Sequence, residues 1–266
     1  MNGSRPVLML LPGLLCDHAA WAGPAQRLAA LADCRIASWG MLDSIEAMAS
    51  HLLASVPEPR FALAGHSMGG RVALEVMRQA PHRVERLALL DTGFQPLPPG
   101  PPGGRESEAR GALLAQARSV GMRAMGRSWA TGMVHPDRVG SPLFDEILDM
   151  IGRSTPAQFA AQVRALLGRP DASALLAAIT SPTLLLCGRQ DHWNPLDSHV
   201  DMRERIPVAR LEVIEDAGHM ITMEAPQAVA EAIAAWLTED SAAIRRDPGR
   251  ARRDPQPANG FANRRY

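Results

Sequence analysis

Lysine is absent from the 266 residues, so every basic side chain other than histidine is arginine. That bias fits GC-rich coding and carries no functional reading. A surplus of charge of either sign is missing too: 28 basic residues balance 28 acidic ones, so nothing global points to nucleic acid. Cysteine is scarce. Cys16, Cys34 and Cys187 are too few and too scattered for a disulfide framework or a zinc site, and they fit a reducing compartment. Long apolar runs are lacking as well. The N-terminal run VLMLL stops at Pro12-Gly13, too short to span a membrane, and no A-x-A cleavage site follows it. The expectation is a soluble, cytoplasmic protein with no membrane or nucleic-acid partner. What is present is 46% apolar residues, enough to bury a sizeable core in one large domain, with or without an insertion.

Short apolar runs alternate with helix-length segments. The runs are VLMLL (7–11), CRIAS (34–38), FALA (61–64), LALL (87–90), TLLLC (183–187) and RLEVI (210–214). Continuous rather than alternating apolarity marks strands covered on both faces. Between the runs lie HAAWAGPAQRLAALA, SIEAMASHLLASV, RVALEVMRQA, PLDSHVDMRERI and PQAVAEAIAAWL, each with helical spacing. This alternation predicts an α/β protein with a parallel sheet and helices on both faces.

The alternation breaks after LALLDTG. A segment opening on the Pro/Gly-rich QPLPPGPPGG continues into ESEARGALLAQARSV, SPLFDEILDMI and TPAQFAAQVRALL before TLLLC. A connection this long needs structure and a job of its own. The expected division is a core of residues 1–94 and 179–240, and a helical insertion over 95–178. The tail 241–266 holds seven Arg against Asp247 and Asp254, with almost no apolar periodicity, and reads as a disordered basic extension.

In LAGHSMGG, Gly65-His66-Ser67-Met68-Gly69 fits G-x-S-x-G, with a strand before it and a helix after it. A serine hydroxyl is a weak nucleophile and needs exposure, a base and nearby N–H donors. A sharp strand-to-helix turn supplies the exposure, and glycines on either side leave room for it. Among the eight His, His66 adjoins the serine but points away along the turn, and His192 lies on a loop beside an Asp. His219, between the last strand and the last helix, opens on the same sheet edge as Ser67 and is the expected base. Asp191, just past TLLLC, is the expected acid; Asp91, just past LALL, is the alternative. The order Ser67, Asp191, His219 is that of α/β-hydrolases. In DHWNPLDSH, Asn194-Pro195 reads as an N-cap and first helical position, so the loop needs no metal. Oxyanion donors are expected from the backbone N–H groups of Met68, following the nucleophile, and Leu14, beyond the Gly13 turn.

With LLPGLL, LAGHSMGGRVALE, LALLDTG, LLLCGRQD and DAGHM spread over residues 7–237, the chain resembles the α/β-hydrolase superfamily. It is most similar to small lidded esterases and lactonases related to 3-oxoadipate enol-lactonase, pimeloyl-carrier-protein methyl esterase and MenH. The resemblance implies a cofactor-independent serine hydrolase that cleaves a carboxylic ester, thioester or lactone through an acyl-enzyme. It includes members that use the same triad for C–C hydrolysis, lyase or acyl-transfer chemistry, and a non-catalytic binding protein on this fold is a further alternative. The 95–178 insertion would be the lid. Two departures stand out. Pro12-Gly13 replaces the usual His-Gly, and the short lead before VLMLL predicts six parallel strands without the N-terminal hairpin. Met122, Met125, Met133, Met150, Trp129, Phe144 and Phe159 would either line an apolar acyl pocket or pack the lid onto the core. Nine Arg against six acids over 95–170 would suit a substrate carboxylate or an acyl group on an acidic carrier protein.

Overall fold

The computed structural model describes residues 5–240. Six strands form one sheet: β1 (Val7–Leu11), β2 (Asp33–Ile36), β3 (Phe61–His66), β4 (Val84–Leu90), β5 (Thr183–Gly188) and β6 (Ala209–Ile214). Their order is β2-β1-β3-β4-β5-β6, and every pair is parallel. The sheet has the six parallel strands the sequence predicts. β1, β3 and β5 are buried along their whole length, which their unbroken apolar runs require, whereas edge strand β2 is only half-buried.

Helices α1 (Ala19–Leu28), α2 (Ile45–Ser55) and α3 (Met68–Gln79) follow the first three strands. Four helices separate β4 from β5: α4 (Pro101–Val120), α5 (Met122–Ala130), α6 (Pro142–Gly152) and α7 (Pro156–Leu167). Then α8 (Leu196–Arg205), the one-turn α9 (Ile221–Glu224) and α10 (Pro226–Thr238) complete the order. α1 packs with α10, and α2 with α3, so helices cover the sheet. Because all strands run one way, the turns after β1, β3, β4, β5 and β6 open on one edge, where open α/β sheets gather ligands.

Three boundaries differ from expectation. α4 begins inside the Pro/Gly-rich stretch, with prolines in its first turn, where the missing N–H costs nothing. α5 falls in a stretch that the periodicity leaves unassigned. α8 starts at Leu196 with Pro195 as its N-cap, one residue later than the Asn194-Pro195 reading: the Pro195 carbonyl accepts the first-turn Ser198 N–H (2.9 Å). Among the described residues no helix is long and apolar enough to cross a membrane. The basic tail lies outside the described residues.

Candidate active site

Ser67 lies between the end of β3 and the first residue of α3, with φ 53° and ψ −117°. A non-glycine residue in that region costs on the order of 1–3 kcal/mol and persists only when its surroundings fix it. Here the Ser67 N–H donates to the Leu90 carbonyl (2.9 Å), and the Thr92 hydroxyl donates to the Ser67 carbonyl (2.6 Å). The flanking glycines are sterically required. A Cβ on Gly65 would lie 2.3 Å from the Gly69 oxygen, and one on Gly69 would lie 2.2 Å from the Leu11 oxygen.

His219 arrives from the turn after β6. Its Nε2 lies 2.8 Å from Ser67 Oγ, and its Nδ1 lies 2.9 Å from Asp191 Oδ2. Asp191 Oδ1 accepts the N–H groups of Trp193 (2.8 Å) and Asn194 (3.0 Å), which turns the loop back onto the carboxylate. Burial opposes ionisation of Asp191. The His219 contact and the two N–H donors outweigh it and hold the carboxyl below the usual carboxylate range.

Asp91 behaves oppositely. Its Oδ1 accepts the Gly188 N–H (2.9 Å), while Oδ2 makes no hydrogen bond of normal geometry among the described residues, feels the Ile221 N–H more weakly, and lies 3.9 Å from His66 Nε2. Complete burial, and then the Asp191 charge, push its carboxyl well above the ordinary range. The structure thus sets Asp191, and not Asp91, against the imidazole. His66 is engaged elsewhere. Its Nε2 donates to the His219 carbonyl (2.7 Å), and burial pushes its pKa down to about 3.

Ser67 and His219 face a cavity of about 850 Å³ that Gly13, Leu14 and Met68 also line. Met68 is the first residue of α3, so its N–H has no partner within the helix. The loop carrying Leu14 is fixed by two unforeseen contacts. The Leu15 N–H donates to Gln162 Oε1 of α7 (2.8 Å), and the Trp39 indole N–H donates to the Pro12 carbonyl (2.9 Å). The Trp39 bond stabilises the backbone at the Pro12-Gly13 departure. The Cys16 thiol also lines the cavity, and burial, and then the nearby Asp17, push it up to about 12, which disfavours its thiolate. Of the seven insertion Met and aromatic side chains, Trp129 and Met133 reach the cavity. The other five are buried in the hydrophobic core. Trp129 packs at a tilt against Trp193 (centroids 5.2 Å apart), and Trp193 packs at a tilt against His219 (5.0 Å).

The alpha/beta hydrolase fold profile matches residues 32–226. The chain belongs to that family. This hydrolase is 30% identical over 193 residues to a pimeloyl-[acyl-carrier protein] methyl ester esterase of Aromatoleum aromaticum, covering 69% of the chain and 76% of the relative. A protein of the same description from Nitrosomonas europaea is 27% identical over 245 residues, covering 85% and 93%. Among solved structures, a thermophilic esterase from Thermogutta terrifontis superposes with a TM-score of 0.77 at 26% identity, covering 91% and 92%. The enol-lactonase from Burkholderia xenovorans LB400 gives 0.77 at 22% identity, covering 90% and 93%, a likeness of fold. The hydrolase is therefore an enzyme.

Sequence reasoning missed Gln162, Trp193 and Glu224. Glu224 alone left a trace, the one acid in HMITMEAP.

Proposed function

We propose that this hydrolase cleaves a carboxylic ester, thioester or lactone through an acyl-enzyme on Ser67. The observation that carries the reading is the continuous Ser67 Oγ–His219–Asp191 contact at 2.8 and 2.9 Å, opening on a cavity. Ser67 Oγ attacks the carbonyl carbon while His219 Nε2 takes its proton. Asp191 holds the imidazole by Nδ1 and stabilises its charge. The Met68 and Leu14 N–H groups receive the oxyanion, each such donor being worth on the order of 3 kcal/mol of barrier. His219 then gives the proton to the departing alcohol or thiol. It next takes a proton from water, which attacks the acyl carbon and frees the acid. The 95–178 insertion serves as the lid, since it supplies Trp129, Met133 and part of α4 to the cavity.

The substrate carries an anionic group. Arg71, Arg110 and Arg169 line the cavity with Glu106, three cations against one carboxylate. Glu106 binds Arg169 (2.7 and 2.9 Å) and Arg110 (2.9 Å). Arg71 donates to the Gln95 carbonyl (2.8 Å) and has no ion-pair partner among the described residues. Burial, and then Arg169, disfavour its charge, a penalty that a bound anion relieves. The names of the two methyl ester esterase relatives support an acyl ester, with a carrier-protein-bound acyl group as one form.

A panel of p-nitrophenyl and methyl esters, varied in acyl length and terminal charge, tests both parts. Ser67→Ala is expected to lose about 10⁶-fold in kcat and all fluorophosphonate labelling. Retention of either overturns the acyl-enzyme. Arg71→Gln is expected to lower kcat/KM about tenfold or more for carboxylate-bearing esters and to leave neutral esters within about threefold. An equal effect on both classes removes the anionic substrate.

A further inference from the structure

The main chain around His219 is held by a buried carboxylate outside the Ser67–His219–Asp191 set. Glu224 closes α9, and its Oε1 accepts the N–H groups of Gly218 and Met220, both at 3.0 Å. Its Oε2 accepts the N–H of His135 (2.7 Å), which belongs to the helical insertion. The His219 N–H donates to the Met133 carbonyl (2.6 Å), so the insertion also takes the one donor between the two that Glu224 binds. Contact there is tight: a Cβ on Gly218 would lie 2.6 Å from the Val134 carbonyl carbon. One carboxylate therefore serves two segments far apart in the chain, and both meet at the His219 main chain.

The chemistry requires an ionised acid. A carboxylate offers lone pairs on two oxygens and no donor, so it can face three N–H groups at once. An amide of the same shape has one oxygen and an NH₂. It can serve the Gly218–Met220 pair or His135, but not both. Burial pushes the Glu224 carboxyl above the ordinary range, and the three N–H donors offset part of that push and favour the charged form. Seating a charge there is unfavourable unless all three donors are in place, which happens only when residues 133–135 lie against the turn.

We propose that Glu224 is a positioning residue that locks the His219 turn to residues 133–135, so that the imidazole is aligned with Ser67 only while the insertion is seated. The proposal rests on the triad reading given above. It makes the insertion part of the catalytic geometry rather than only a wall of the cavity.

The test uses the full chain as wild type, Ser67→Ala, Glu224→Gln and Glu224→Ala. It measures kcat and KM on a neutral short-chain p-nitrophenyl ester, the rate of fluorophosphonate labelling, and amide exchange at His135, Gly218 and Met220. Misalignment of about an ångström is expected to lower kcat and the labelling rate on the order of 10²-fold in Glu224→Ala, with KM within about threefold. Glu224→Gln is expected to fall between Glu224→Ala and wild type, with faster exchange at His135 or at the Gly218–Met220 pair but not at both. If the alanine variant does not fold, the near-isosteric glutamine variant carries the test. Wild-type kcat and labelling in folded Glu224→Gln, or a loss confined to KM, overturns the proposal. Failure of the triad reading looks different: wild type is not labelled, or Ser67→Ala still is.

Discussion

The turns after β4 and β5 make a controlled comparison. Each places a buried aspartate just past a strand end, on adjacent strands at one sheet edge. Asp191 accepts two backbone N–H groups and faces an imidazole, and it is held ionised. Asp91 accepts the Gly188 N–H, makes no well-formed hydrogen bond through its other oxygen among the described residues, and is pushed toward its neutral form. Strand ends bring both carboxyls to the edge, and the local supply of donors decides which one carries charge. The sharpest way to break the comparison is to neutralise each in turn. Asp191→Asn is expected to lower kcat by about 10⁴, the scale seen when a triad carboxylate loses its charge. Asp91→Asn should stay within about tenfold of wild type, because the His219 imidazole is held by Asp191 and Asp91 bonds the Gly188 N–H instead. Steady-state kinetics on one activated ester measures both. A reversed order would exchange the roles of the two residues.

The second prediction concerns stability. An aspartate titrates at about 3.9 in the unfolded chain, while folded Asp91 titrates well above that. Above about pH 4 the unfolded state releases a proton that the folded state keeps. Asp91 therefore makes stability fall as pH rises from there toward its folded value. Asp91→Asn has no proton to lose and keeps an oxygen for the Gly188 N–H. Its Tm should exceed that of wild type at pH 8 and converge with it near pH 4. A Tm lowered equally at both pH values would mean that Asp91 is ionised in the fold.

This contrast also explains what the sequence could tell. The sheet was legible because its central strands are buried on both faces, so their apolar runs are unbroken. Strand ends were less so: β4 begins at Val84, ahead of LALL, across the exposed Glu85 and the half-buried Arg86. Ser67, Asp191 and His219 were legible as candidates because each lies on the turn that follows a strand, and the turn at Ser67 imposes its own glycines. Which aspartate faces the imidazole was harder to read, since it depends on the Trp193 and Asn194 amides turning back onto Asp191. Gln162, Arg71 and Glu224 take their roles from where the insertion meets the sheet edge, and no local pattern encodes that approach. The two glycines of GMRAMGRSWA similarly hid α5, whose Met122 and Met125 are fixed by burial rather than by helix propensity.

The smallest expected effect lies where the two turns are joined. The Thr92 N–H, next to Asp91, donates to His199 Nε2 (3.2 Å), and His199 sits on α8, beyond the Asp191 loop. Accepting that bond requires an unprotonated Nε2, and burial pushes the pKa of His199 down to about 4. In the unfolded chain the imidazole titrates at about 6.5. As pH falls below that, the unfolded state gains a proton that the folded state refuses, so stability drops until about pH 4. His66, pushed down to about 3, adds a parallel slope of the same sign. His199→Gln preserves an acceptor for Thr92 and removes one of the two proton-linked slopes. Urea unfolding between pH 4.5 and 7.5 should show its acid loss of stability reduced by about one proton, with a change at pH 7.5 of about 1 kcal/mol or less. An unchanged slope would mean that His199 is protonated in the fold, and that the Asp91 and Asp191 turns are joined by packing rather than by a neutral imidazole.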